Sequence, residues 1–285
     1  MGGGAELPPW ALVAAVGLFG LLIGSFLNVV IYRLPKMMER QWAEECADLS
    51  GTPLAPADKF NLLVPRSRCS SCGHLIAWYE NIPVLSYLWL RGRCSVCGTG
   101  FGVRYPVIEL LTGALFAFCA WRWGSTPTTV AWAAFCAALL VLAVIDWDTT
   151  LLPDDITLPL LWGGLIAAAL QWNPAVNLAS ALWGAVAGYL SLWLVYWAFK
   201  LATGKEGMGH GDFKLFAALG AWFGWSALVP IILMASVIGA LVGIGLKLSD
   251  GLREGGYVPF GPFLAGAGFT AMFFGPQTIL RVIGL

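Results

Sequence analysis

Four cysteines and two groups of carboxylates are the residues of this chain whose types and spacing can do chemistry. The cysteines form two pairs, Cys69-Ser-Ser-Cys72 and Cys94-Ser-Val-Cys97, with 21 residues between Cys72 and Cys94. Each pair is followed at once by a glycine, Gly73 or Gly98. A tight turn there brings two thiolates to one ion, and four such thiolates satisfy tetrahedral zinc. The competing readings are a redox dithiol pair or two disulfides, and disulfides require an oxidising compartment.

The first acidic group is Val144-Ile-Asp-Trp-Asp-Thr-Thr-Leu-Leu-Pro-Asp-Asp155, with carboxylates at Asp146, Asp148, Asp154 and Asp155. Asp146 directly follows 23 uncharged residues. A charge at that depth of an apolar run is costly and therefore points to function. Asp154 and Asp155 are expected to open the next helix and to favour its positive end. The second group is Gly204-Lys-Glu-Gly-Met-Gly-His-Gly-Asp-Phe-Lys214, in which Asp212 is the last acid before another apolar run. Gly207, Gly209 and Gly211 alternate there and permit close approach of another backbone. A phosphate loop is disfavoured, because no G-K-[ST] follows and no strand precedes. His210 reads as a packing or hydrogen-bonding residue. If the helices carrying Asp146 and Asp212 are neighbours, the two carboxylates meet, share one proton, and divide the work of base and acid as in aspartic proteases. No G-x-S-x-G, H-E-x-x-H or Cys–His pair outside the cysteine module offers a rival nucleophile.

The elements that must position these groups lie in a membrane. Of 285 residues, 59% are hydrophobic and 11% charged, and the mean hydropathy is +0.77. That composition predicts an all-α polytopic membrane protein. Leu7–Tyr32, Trp123–Ile145, Ile156–Phe199, Leu215–Leu246 and Gly255–Leu280 carry no Asp, Glu, Lys or Arg, and Val107–Trp121 carries only Glu109. Ile156–Phe199 breaks at Asn173-Pro174, and Leu215–Leu246 breaks around Gly224–Pro230. The count is then about eight transmembrane helices, or six to seven with a re-entrant segment. The first helix is expected over Trp10–Ile31, followed by a short amphipathic helix over Met37–Leu49. Glu80-Asn-Ile-Pro83 and Arg104-Tyr-Pro106 read as ordered turns. Gly24, Ser25 and Asn28 share a helix face and favour close packing in lipid.

Basic residues set the topology. The stretch between the first two helices holds nine of them, from Arg33 to Arg104. With that stretch in the cytosol, Lys200, Lys205, Lys214, Lys247 and Arg253 also fall inside, and only Arg122 and Arg281 outside. Both termini are then periplasmic, and the first helix is retained rather than a cleaved signal. Cys119 and Cys136 read as buried small hydrophobes. Cys46 stands outside the zinc spacing. The 15 tryptophans read as core and interfacial anchors. The chain divides into a tail and first helix over 1–32, a cytosolic zinc-ribbon-like loop domain over 33–104, and a membrane domain of about seven helices over 105–285.

The motifs G-S-F-L-N-V-V-I-Y-R-L-P at 24–35, the paired C-x-x-C, E-N-I-P at 80–83, I-D-x-D…L-L-P-D at 145–154, G-K-E-G-M-G-H-G-D-F-K at 204–214 and P-F-G-P-F-L at 259–264 span nearly the whole chain. Together they resemble the type IV prepilin peptidases, which are bifunctional leader peptidases and N-methyltransferases. The resemblance implies an inner-membrane aspartic endopeptidase that cuts prepilins and type II secretion pseudopilins after the glycine ending a short basic leader. It implies that the new N-terminal residue, usually phenylalanine, is then methylated from S-adenosylmethionine. It places the catalytic pair at Asp146 and Asp212 on the cytosolic face and gives Asp148 no direct role. Gly209 and Gly211 then admit the extended substrate backbone. The methyl-transfer site is implied to involve the first cytosolic loop, with no single residue assigned. Structural zinc on Cys69, Cys72, Cys94 and Cys97, a lipid bilayer and no nucleic acid complete the expectation. The rival readings are a proton-coupled transporter, with the cysteine module as a regulatory cap, and a non-catalytic assembly factor.

Overall fold

A computed structural model describes residues 8–51, 58–249 and 258–283. The chain is helical, and among the described residues the only β-pairing is two isolated bridges, Arg68 with Leu75 and Arg93 with Gly100. The helices are α1 (Pro9–Ser50), α2 (Leu85–Trp89), α3 (Arg104–Trp123), α4 (Pro127–Thr149), α5 (Asp154–Ala169), α6 (Leu178–Thr203), α7 (His210–Phe223), α8 (Leu228–Leu248), α9 (Gly261–Phe274) and α10 (Pro276–Ile283). Eight of them, all but α2 and α10, match the apolar runs of the sequence. By length and composition, four segments among the described residues are able to cross a membrane: α1, α4, α6, and α8 with the turn before it. At 1.5 Å per residue, the 14 residues of α7 reach about 21 Å, short of a bilayer's apolar thickness.

Two boundaries differ from the sequence expectation. The first helix does not end at Ile31; α1 runs unbroken through Pro35 to Ser50 and absorbs the amphipathic stretch. The residues after Pro35 are mostly strong helix formers, which carry the helix past the missing N–H. Arg104-Tyr-Pro106 is not a separate turn but the opening of α3. Proline is tolerated in a first turn because its absent N–H would have had no helical partner. Arg253 and residues 1–7 of the glycine-rich tail lie outside the described residues.

The chain forms two compact units, Met1–Ala137 and Ala138–Leu285. In the first, α1 packs along α3 through small residues. A Cβ on Gly20 would lie 2.9 Å from Gly113 Cα, and one on Gly24 would lie 2.7 Å from Glu109 Cα. The expected packing role of Gly24 is thus met by backbone contact. Asn28 Nδ2 donates to Tyr105 O at 3.1 Å, tying the same two helices. Arg33, buried in α1, donates to Asn61 O at 2.9 Å and to Pro65 O at 2.6 Å, and so holds the polar segment against the helix.

In the second unit α7 is the central element, packed by α5 and α6. Gly184 of α6 lies against the backbone of Gly220 of α7, and a Cβ on Gly188 would meet Phe216 O at 2.8 Å. Gly184 and Gly188 are four residues apart, so this is the small-residue contact by which membrane helices approach closely. On the other side, Trp222 Nε1 donates to Leu160 O at 2.8 Å, and Asn173 Nδ2 donates to Trp222 O at 2.7 Å. These bonds fix α7 in rotation and along its axis.

Candidate functional site

The four predicted cysteines come together. Their Sγ atoms all lie within 4.8 Å of one another, with Cys69–Cys97 at 3.7 Å and Cys72–Cys94 at 3.9 Å. A tetrahedron with Zn–S bonds of about 2.3 Å has edges of about 3.8 Å. These are far longer than a disulfide bond, and none of the seven cysteines is in a disulfide. Two turns of the same design build the site. Cys69 N donates to His74 O and Gly73 N to Cys69 O, at 2.8 and 3.0 Å. Cys94 N donates to Thr99 O and Gly98 N to Cys94 O, at 2.9 and 3.0 Å. Gly73 and Gly98 have φ of 73° and 70°, the left-handed region that favours glycine.

Hydrogen bonds from Thr99 bring the Cys97 thiol down to about 6. The Cys72 thiol, despite a backbone hydrogen bond at His74, is pushed up to about 11 by burial and by the other three thiols. Four sulfurs this close resist joint ionisation, and a divalent cation relieves that repulsion. Glu80 links the two turns by bonding Ser95, Ala77 N and His74, and these bonds hold its carboxyl below the usual range.

In the second unit, α4 carries Asp146 in its last turn, and α7 begins two residues before Asp212. Both side chains are buried, at 4% and 7% exposure. Asp148, Asp154 and Asp155 are exposed. Asp146 Oδ2 accepts from the N–H of Gly261 at 2.8 Å. Gly261 opens α9, so the carboxylate sits at the positive end of that helix. Asp212 occupies the third position of α7, where its carboxylate is bonded by Gly209 N–H, its capping residue. The charges of Asp146 and Asp212 act on each other. Leu152 lies between their two supports: a Cβ on Gly211 would fall 2.6 Å from Leu152 Cβ, and one on Gly261 would fall 3.3 Å from Leu152 Cδ1. A Cβ on Gly209 would meet only Asp212 Oδ2, at 3.6 Å, so its face is open beside that carboxylate.

Asp212 Oδ1 is buried and has no hydrogen-bond partner. An orphan acceptor in a buried site costs about 1–3 kcal/mol, and such atoms recur where a reactant is to be bound. Lys214 and Asp154 close the α5 and α7 starts together with an ion pair of 2.6 Å. His210 packs between Tyr196 and Phe213, with ring centroids at 5.0 and 5.4 Å and the rings tilted, in the packing role expected of it. Sequence reasoning missed Gly261 and Leu152. Gly261 stands in the P-F-G-P-F-L motif at 259–264 and Leu152 in L-L-P-D at 151–154, but neither motif by itself assigns the residue a part in the site.

The sequence pattern of the Bacterial Peptidase A24 N-terminal domain matches residues 18–123, and that of the Type IV leader peptidase family matches residues 133–244. The chain is 49% identical over 271 residues to the prepilin leader peptidase/N-methyltransferase of Pseudomonas putida, covering 95% of this chain and 93% of the relative. It is 49% identical over 284 residues to the protein of the same description from Burkholderia pseudomallei (strain 1026b), covering 98% and 91%. To that of Aeromonas salmonicida (strain A449) it is 51% identical over 275 residues, covering 94% and 92%. No solved structure matches the chain.

Proposed function

The chain belongs to the type IV leader peptidase family, and on that premise we propose that Asp146 and Asp212 are its catalytic pair. It is a multi-pass inner-membrane peptidase that removes prepilin leaders and N-methylates the new terminus. The observation that carries the residue assignment is the convergence of the second unit's two buried acids, among the described residues, around Leu152, with Asp212 Oδ1 unpartnered. One carboxylate takes a proton from water, and the water oxygen bonds to the scissile carbonyl carbon. The other, protonated, donates to the carbonyl oxygen. The intermediate then collapses, the proton passes to the amide nitrogen, and the C–N bond breaks.

The cut falls after the leader's terminal glycine, in prepilins and in pseudopilins alike. Gly209 borders the substrate backbone, while Gly211 admits Leu152 behind it. The site and the cysteine module face the cytosol and both termini the periplasm, a reading supported by the bias of basic residues. Apolar faces such as those of Leu18, Leu22, Trp183 and Leu241, all exposed, are solvated by lipid acyl chains. Cys69, Cys72, Cys94 and Cys97 would hold one zinc ion, which supplies a fixed cross-link and no chemistry of its own. The methyl donor is S-adenosylmethionine, whose sulfonium makes its methyl group transferable. A transporter would place its relay acids near the bilayer midplane; here both lie at helix ends.

The test is cleavage of a full-length prepilin by the detergent-solubilised protein, read by mass. Loss of the leader by the wild-type chain and none by Asp146→Asn or Asp212→Asn supports the assignment. Normal cleavage by either variant would end it.

A further inference from the structure

The first unit contains a cavity of about 690 Å³ that the peptidase reaction does not use. Its wall joins α1, the start of α3 and the cysteine-bearing segment, and all its lining residues lie between Ser25 and Glu109. That volume suits a ligand of a few hundred daltons. Glu109 lines the cavity and is only 8% exposed. Its partners are neutral: the N–H of Val84 at 2.8 Å and the side chain of Ser25. Among the described residues no ion pair is formed by Glu109. A buried carboxylate with no ion pair of its own is costly, and a ligand bearing positive charge and hydroxyl donors offsets that cost. Aromatic rings of Tyr87 and Phe101 line the same space and suit a flat heterocycle or a cation. The exposed Arg66 lines it too, placing a cation within reach of a ligand carboxylate. Arg33, Arg68 and Arg93 line it as well, so both signs of charge face this space alongside Glu109 and Glu80.

We propose that this cavity is the S-adenosylmethionine site, with Glu109 as the buried acceptor for the donor's cationic or hydroxyl groups. The ligand's chemistry matches the lining: a purine, a diol, a sulfonium, and an amino acid end with one ammonium and one carboxylate. The assignment rests on the methyltransferase reading of the chain. It places methyl-donor binding within residues 25–109, wholly inside the first unit.

The test is equilibrium dialysis of labelled S-adenosylhomocysteine against purified full-length protein in detergent. The variants are Glu109→Gln and Arg66→Ala, with folding checked by tryptophan-fluorescence melting. Glu109→Gln is expected to weaken binding at least about tenfold, as for loss of a charge-assisted bond worth about 1.4 kcal/mol or more. Arg66→Ala, a surface change, is expected to weaken it about fivefold and decides the matter if Glu109→Gln does not fold. Wild-type affinity in folded Glu109→Gln overturns the proposal, as does wild-type affinity in Arg66→Ala when Glu109→Gln is unfolded. Wild-type protein that cleaves prepilin but neither binds S-adenosylhomocysteine nor methylates the product would instead remove the methyltransferase reading itself. Displacement by inorganic phosphate or anionic vesicles, but not by S-adenosylmethionine, would reassign the cavity to a phosphate ligand and likewise overturn the proposal.

Discussion

Asp146 and Asp148 are two residues apart on one helix turn, yet their surroundings separate their roles. Asp146 is buried against Gly261 N–H, whereas Asp148 is exposed. Asp146→Asn and Asp212→Asn should each lower prepilin cleavage by at least about a thousandfold, since removing one member of a unit that acts together removes most of its rate. Asp148→Asn should stay within about twofold, as surface changes usually shift energies by only about 0.5 kcal/mol. A dead Asp148→Asn beside an active Asp146→Asn, in the same mass assay, would show the motif to be misaligned by two residues. Gly261→Ala tests the support. Its new Cβ would lie 2.5 Å from Asp146 Oδ2, and relieving that clash costs about 1–3 kcal/mol. Cleavage should fall by about tenfold or more while the protein still folds. The acids themselves were legible because a charge beside a long uncharged run is conspicuous. Gly261 was not, because its bond to Asp146 spans 115 positions and depends on where α9 begins. Glu109 looked like an interruption of an apolar run, and only the cavity beside it gives its carboxylate a purpose.

At the scale of elements, glycines decide how near the functional helices come. Gly184 and Gly220 bring α6 and α7 into backbone contact, so Gly184→Ala must push the helices apart or distort both. We expect a loss of about 1–3 kcal/mol, seen as a lower melting temperature, with cleavage falling because α7 carries Asp212. A variant that melts like wild type would mean this contact is not held in the membrane-embedded protein. The cysteine turns are the other element-level device. Purified protein should contain about one zinc per chain. Cys69→Ser or Cys97→Ser should lower the metal content and open the segment to proteolysis, and a strong chelator should do the same to the wild-type chain. Stoichiometric disulfides in freshly alkylated protein would exclude the metal site. Both turns could be read in advance, since C-x-x-C-G fixes its own local geometry. The continuity of α1 could not, because Pro35 reads as a stop until helix formers on one side and the Arg33 bonds on the other are seen together.

At the scale of the whole chain, each unit holds one set of groups with its own chemistry. The second unit contains the two buried aspartates, while the cysteine module, the cavity and Glu109 lie in the first. Hydrolysis requires water and two carboxylates that exchange a proton. Methyl transfer requires a bound sulfonium donor and a neutral amine, neither of which the aspartates supply. The activities should therefore separate. Asp212→Asn should transfer labelled methyl from S-adenosylmethionine to a synthetic mature pilin N-terminus at close to the wild-type rate, because Asp212 belongs to the second unit and the cavity's lining to the first. Mild damage to the cysteine module, as in Cys97→Ser, should lower methylation more than cleavage. The decisive measurement is methyl transfer to a pre-cleaved peptide in detergent, with folding confirmed by melting. Full loss of transfer in folded Asp212→Asn would mean that both reactions run at one site. The cavity would then have to serve the peptide rather than the methyl donor.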